Sequence, residues 1–187
     1  MAADAPDSNG SAFDLIVSSV DGPMIVVTTA EGGERAGCLV GFHAQSSIEP
    51  RRYTVWLSKA NHTYRVALRA SHIGIHFLTD GDFALAERFG TLTGDTTDKF
   101  ADLAVTDGPG DVPLLDDCPN RLAARRVALL DEGGDHVCLV AELVESWTGG
   151  RFAPLRLSRV RHLEPGHSTE ERHSPPTERA APPPVAP

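Results

Sequence analysis

Apolar positions along this chain come mostly in short β-branched runs with a period of two, punctuated by Gly, Asp and Pro, so strands dominate the reading. Residues 23–30 (Pro-Met-Ile-Val-Val-Thr-Thr-Ala) form such a run and end at the turn Glu31-Gly-Gly-Glu34, which predicts a hairpin into a second strand over 36–44, apolar through Cys38-Leu-Val40. A third strand over 53–58 follows the bend at Ile48-Glu-Pro50. The period then changes. Asn61 is a good N-cap, and Tyr64, Ala67, Leu68 and Ala70 recur at helical spacing, predicting a helix over 62–70. A strand over 73–78 precedes a second helix, capped by Asp82, carrying Phe83, Ala86 and Phe89 and stopped by Gly90. After a Gly/Asp/Pro-rich stretch at 94–119, strands over 121–130 and 136–147 flank the turn Asp131-Glu-Gly-Gly-Asp135, and a last strand is expected at 159–163. About seven strands with two or three helices predict a mainly β fold, an antiparallel β-barrel with a few short helices.

Composition narrows this to one domain. The chain has 187 residues, 41% hydrophobic and 23% charged, which suits one soluble core. Residues 1–12 are polar, and 164–187 are rich in Pro, Glu, Ser and Ala, too poor in large apolar groups to offset their ordering entropy. Both ends are expected to be disordered, with the folded domain spanning 13–163. A formal charge of −9 disfavours nucleic acid and anionic lipid. An anionic ligand therefore needs a local cradle of N–H groups and one or two cations. Cys38, Cys118 and Cys138 are widely spaced and without a C-x-x-C pair, which reads as reduced thiols. With neither a leader-like start nor an apolar run of membrane length, a cytoplasmic location is expected.

Three places could carry chemistry. In Ser58-Lys-Ala-Asn-His-Thr63, where a strand gives way to a helix, the hydroxyls of Ser58 and Thr63, the Asn61 amide, the Lys59 ammonium and first-turn N–H groups can converge on a phosphate; an ordinary capped helix would use the same residue types. Thr28-Thr29 lies opposite Ala36-Gly37-Cys38, and Gly37 lets a flat ring approach the backbone, although threonines are also good strand formers. His136 opens a strand and shares a face with Cys138, Val140 and Glu142, where it can contact a cofactor or donate a proton. A metal site is not expected: His72 and His76 share a face but stand roughly 13 Å apart, too far for one ion. Dinucleotide, P-loop and G-x-S-x-G signatures are absent.

Taken in order, Pro23…Val27-Thr-Thr29, Gly37, Ser47-Ile-Glu-Pro50, Ser58-Lys-Ala-Asn-His-Thr63, Leu85-Ala-Glu-Arg-Phe-Gly90, Asp98-Lys-Phe100, Val112-Pro-Leu-Leu115, Gly134-Asp-His136 and Pro154-Leu155 resemble the flavin reductase-like family of FMN-binding split barrels. The resemblance runs from about residue 13 to 163. It implies a Greek-key-like antiparallel split barrel, a homodimer, and a non-covalent FMN near the subunit interface. The phosphate is then held around Ser58, Lys59, Asn61 and Thr63, and the ring lies against Thr28, Thr29 and the strand from Gly37 to Phe42. NADH or NADPH would stack on the exposed flavin face without a Rossmann fold. Phe100 and His136 match family positions near the cofactor, His136 as the candidate catalytic residue. Two departures stand out: Cys38-Leu-Val-Gly-Phe42 replaces small hydroxylated residues, and Arg51 stands where a second proline is usual. Backbone N–H groups of Leu39 and Val40, or Gln45 and Ser46, are then the substitute donors to the ring. The implied activity is NAD(P)H:flavin reduction serving a partner monooxygenase; the alternatives are a flavin, deazaflavin or haem module without turnover, and a cofactor-free interaction protein.

Overall fold

The computed structural model describes residues 8–166. Its elements run α1 (Ser8–Val20), β1 (Ile25–Glu31), β2 (Glu34–Val40), β3 (His43–Ser47), β4 (Arg52–Ser58), α2 (His62–Ala67), β5 (His72–Phe77), α3 (Phe83–Thr91), β6 (Val105–Asp107), β7 (Pro113–Leu115), β8 (Arg121–Leu130), β9 (His136–Trp147) and α4 (Leu157–Val160). Seven strands form one antiparallel sheet in the order β2-β1-β5-β8-β9-β4-β3, curled into a half-barrel, while β6 and β7 pair separately. The fold is mainly β with a few short helices.

The sheet has two apolar faces, and each is covered differently. Inside the curl, Ile25, Val27, Val55, Leu57, Ile73, Ile75 and Leu139 make a core closed by the buried Val66 and Ala67 of α2. Arg126 reaches in to donate to the carbonyls of Ala67 and Leu68 (2.7 and 2.8 Å), completing the end of that helix. Outside, Val26, Leu78, Ala86, Phe89 and Leu155 form a second core where α3 lies on the β1–β2 side. The outer face of β8, β9 and β4 has no helix of the described residues over it.

Several expectations are corrected. The run read as one strand over 36–44 breaks at Gly41-Phe42, and its halves β2 and β3 become the two opposite edges of the sheet. Phe42 then bridges the seam by accepting from Trp56 N (2.9 Å). A helix, α1, starts inside the N-terminal stretch read as unstructured, of which residues 1–7 lie outside those described, as does the tail from residue 167. Asp82 does not cap by accepting from the first turn of α3; it accepts from Thr79 N and Oγ1 (both 2.7 Å) in a capping box that opens one 3-10 turn earlier. Gly90 sits within α3, which ends at Thr91. The strand expected at 159–163 is instead the short α4, held to the body by Leu157 N donating to Gly22 O (2.9 Å).

Candidate functional site

Strand alternation decides which side chains share a surface. In β4, Val55 and Leu57 point into the core, so Thr54, Trp56 and Ser58 point outward, and their partners across the ladder are Val140, Cys138 and His136. The corner where β4 ends and β9 begins therefore gathers Trp56, Ser58, His136 and, across the seam, Phe42, whose ring centroid is 5.3 Å from that of His136. His136 Nδ1 is 2.8 Å from Asp135 Oδ1.

The predicted phosphate cradle sits at this corner, partly engaged already. Ser58 O accepts from Asn61 N (3.0 Å), and Lys59 N donates to Asp135 O (2.9 Å), so the chain reverses tightly here. Asn61 Oδ1 accepts from Thr63 N (3.0 Å) and Asn61 O accepts from Tyr64 N (3.1 Å), which takes up first-turn donors that the sequence left free for a ligand. Lys59 Nζ donates to Asp131 Oδ1 (2.8 Å), and that ammonium, together with Gly133 N–H, lowers the Asp131 pKa. One hydroxyl remains. Ser58 Oγ is buried without a hydrogen-bond partner, whereas the fully buried Thr63 hydroxyl lies against the Cys38 thiol of the inner core and away from this corner. Burying a hydroxyl without a partner costs about 1–3 kcal/mol, so such groups mark places where an acceptor is missing.

The other predicted residues fall elsewhere. Thr28 and Thr29 are fully buried and their hydroxyls donate to Pro113 O (2.6 Å) and His72 O (2.8 Å), so they fasten β7 and β5 to β1 and present nothing to a ring. Gly37 leaves room for Phe89, not for a ligand: a Cβ there would stand 2.7 Å from Phe89 Cε1. Phe100 packs edge-on against Phe89 (5.4 Å) beside the buried Lys99, on a cleft of about 420 Å³ that includes neither Ser58 nor His136. Cys38 and Val40 are in the inner core, where burial pushes the Cys38 thiol up, and Leu39 is half-buried near Gly90 on the α3 side. Ser46 does border the outer face, its Oγ accepting from Thr54 Oγ1 (2.7 Å), whereas Gln45 turns to the opposite mouth of the curl with Tyr53 and Leu122. From Thr54 to Ser58 is about 13 Å along the strand, a path from polar to apolar to polar that suits a flat ring joined to an anion. Of the predicted ring strand Gly37 to Phe42, only Phe42 comes to this corner, and Trp56 was missed as a lining residue although alternation two residues before Ser58 places it beside that residue.

A curled antiparallel half-barrel that leaves one sheet face without a helix over it, among the described residues, defines a split barrel. The model of the flavin reductase like domain matches residues 17–163, and the chain belongs to that family. Over 156 residues it is 31% identical to the reductase component of 4-nitrophenol 4-monooxygenase/4-nitrocatechol 2-monooxygenase of Rhodococcus opacus, covering 77% of this chain and 82% of that protein. Its fold is similar to that of a flavin reductase domain protein of Arthrobacter sp. FB24 (TM-score 0.70, 22% identity, 92% of this chain and 98% of the other). It is also similar to the NADH:FAD oxidoreductase SgcE6 of Streptomyces globisporus C-1027 (TM-score 0.65, 20% identity, 82% and 98%).

Proposed function

We propose that this protein is an NAD(P)H:flavin oxidoreductase that binds FMN non-covalently on the outer face of β4 and β9, works as a homodimer, and delivers reduced flavin to a partner monooxygenase. The observation that carries the reading is the unpartnered buried Ser58 hydroxyl, next in sequence to Lys59 and within the turn that Asn61 caps, at one polar end of the outer face of β4. The reductase-component relative and the family match over 17–163 supply the reaction class.

When bound, the flavin supplies the two-electron chemistry, accepting hydride from the nicotinamide. Ser58 Oγ–H, the Asn61 amide and the Lys59 ammonium hold the phosphate, Lys59 exchanging its exposed Asp131 partner for the stronger dianion. Trp56 and Phe42 keep water from the sheet side. With Nδ1–H of His136 donating to Asp135, its Nε2 is left as an acceptor, able to hold a proton at the edge of the shelf.

Protein reconstituted with FMN should be yellow and should bleach on addition of NADH or NADPH without oxygen. Colour without bleaching would mean a binding module, and failure to take up flavin would remove the reading. Lys59→Ala with Asn61→Ala should weaken FMN binding by about 2–4 kcal/mol, the sum of two charge-assisted contacts, while riboflavin affinity changes little. Equal losses for both flavins would move the phosphate away from this corner.

A further inference from the structure

Where β8 begins and β9 ends, the rings of Phe77, Trp147 and Phe152 border a cleft of about 310 Å³. His136 and Trp147 stand at opposite ends of the 12-residue β9, roughly 37 Å apart along the strand, and the cleft shares no residue with the proposed flavin shelf. Its walls are held by the fold. Trp147 pairs with Arg121 across the β8–β9 ladder. Asn120, almost fully buried, accepts from Phe77 N through its backbone carbonyl (2.8 Å), and its Oδ1 accepts from Thr148 Oγ1 (3.0 Å) and Gly149 N (3.1 Å), which fixes the loop after β9. The Phe152 ring lies 6.3 Å from that of Phe77, and Pro154 bridges to Thr79 just beyond it.

Arg121 is the charged residue of this lining, and its two edges are used differently. Nη1 donates to Leu115 O and lies 3.4 Å from Asp116 Oδ1, while the guanidinium packs on Trp147 with Cζ 5.5 Å from the ring centroid. On the other edge Nε is buried without a partner, and none of the described residues accepts from Nη2. A buried N–H without an acceptor is costly, so this edge marks a place where an acceptor is missing.

We infer that the cleft binds a small aromatic carboxylate of the benzoate type, its two oxygens accepting from Nε and Nη2 of Arg121 and its ring lying between Trp147 and Phe152. The free edge presents two parallel N–H groups, which match the paired oxygens of a carboxylate and not the single oxygen of a phenolate. Aromatic walls favour a flat ring over an aliphatic chain. The volume stands at the small end of ligand sites, room for one substituted ring and not for a dinucleotide.

Calorimetric titration of the full-length protein with benzoate, benzamide and acetate tests the site. Benzoate should bind once per chain with a Kd below about 1 mM, as a ligand of this size allows. Benzamide keeps the shape without the charge, and acetate the charge without the ring; each should bind about ten-fold more weakly or worse. Arg121→Lys, which keeps the charge and loses the fork, should weaken benzoate by a similar factor. Because Arg121 also holds Leu115, a second variant is needed that leaves that bond intact: Phe152→Ala, on the exposed loop, should weaken benzoate about three- to ten-fold. FMN should leave benzoate affinity unchanged, since the two sites stand at opposite ends of β9. The absence of saturable benzoate binding, equal affinity for benzamide or acetate, or unchanged affinity in either folded variant would overturn the site. Displacement of benzoate by FMN would put it on the shelf and overturn the site as well. If the protein takes up no flavin, the flavin reading fails while the benzoate titration still decides this one.

Discussion

His76 is a titratable group that the fold pins at both ring nitrogens. It is fully buried on the outer side of β5, with Nδ1–H donating to Val26 O (3.2 Å) and Nε2 accepting from Leu115 N (3.0 Å), so a neutral imidazole ties β7 to the sheet. Burial, the largest cause, pushes its pKa down to about 4. The unfolded chain binds this proton below about pH 6.5, and the folded chain only below about 4, so the stabilisation is whole above 6.5 and is lost as pH falls towards 4. Over the full window that amounts to about 3 kcal/mol, of which about 2 disappears between pH 7 and pH 5. Urea unfolding at the two pH values should show this drop in the wild type and a much smaller one in His76→Gln. An equal drop in both would assign the acid sensitivity to other groups.

Among the elements, the seating of α3 on β2 depends on one missing side chain. Lys99 donates to both Gly37 O (3.0 Å) and Phe89 O (3.2 Å), stitching the end of α3 to the strand, and Phe89 occupies the space above Gly37. Gly37→Ala would force that ring aside, at a cost of about 1–3 kcal/mol for an overpacked core, seen as a lower denaturant midpoint with an unchanged slope. A loss below about 0.5 kcal/mol would show that Phe89 can move freely. The same glycine illustrates what the sequence could and could not convey. Its smallness was legible, and so were β1, β4, β5, β8 and β9, because alternation and Gly-rich turns are local signals. What Gly37 makes room for is a contact 52 residues away, which no local pattern records. Likewise Gly41 inside an apolar run does not reveal that β2 and β3 part to opposite edges, and Thr28 and Thr29 look available until Pro113 and His72 arrive to accept from them. The strand-to-helix reversal at Ser58 to Thr63 was legible because a strand end and an Asn cap lie close together in sequence. Trp56, Phe42 and the neighbouring β9 complete it through pairing.

At the scale of the molecule, one sheet serves three surfaces: an inner core, an outer core under α3, and a shelf that the chain leaves for something else. A fold that buries two of these and exposes the third should draw part of its stability from the ligand that completes it. The size follows from linkage alone. FMN at one hundred times its dissociation constant adds about 2.7 kcal/mol if it binds only the folded state. For a domain of this length each kcal/mol moves the melting temperature by about 2–4 °C, so the shift should be roughly 5–11 °C. Scanning calorimetry with FMN and with riboflavin separates the contributions, because in the proposed binding mode both would place a ring on the shelf and only FMN would reach Ser58, Lys59 and Asn61. FMN should raise the melting temperature well beyond an equal concentration of riboflavin, and Ser58→Ala should narrow that gap. Identical shifts for the two ligands would leave the Ser58 hydroxyl without its proposed acceptor.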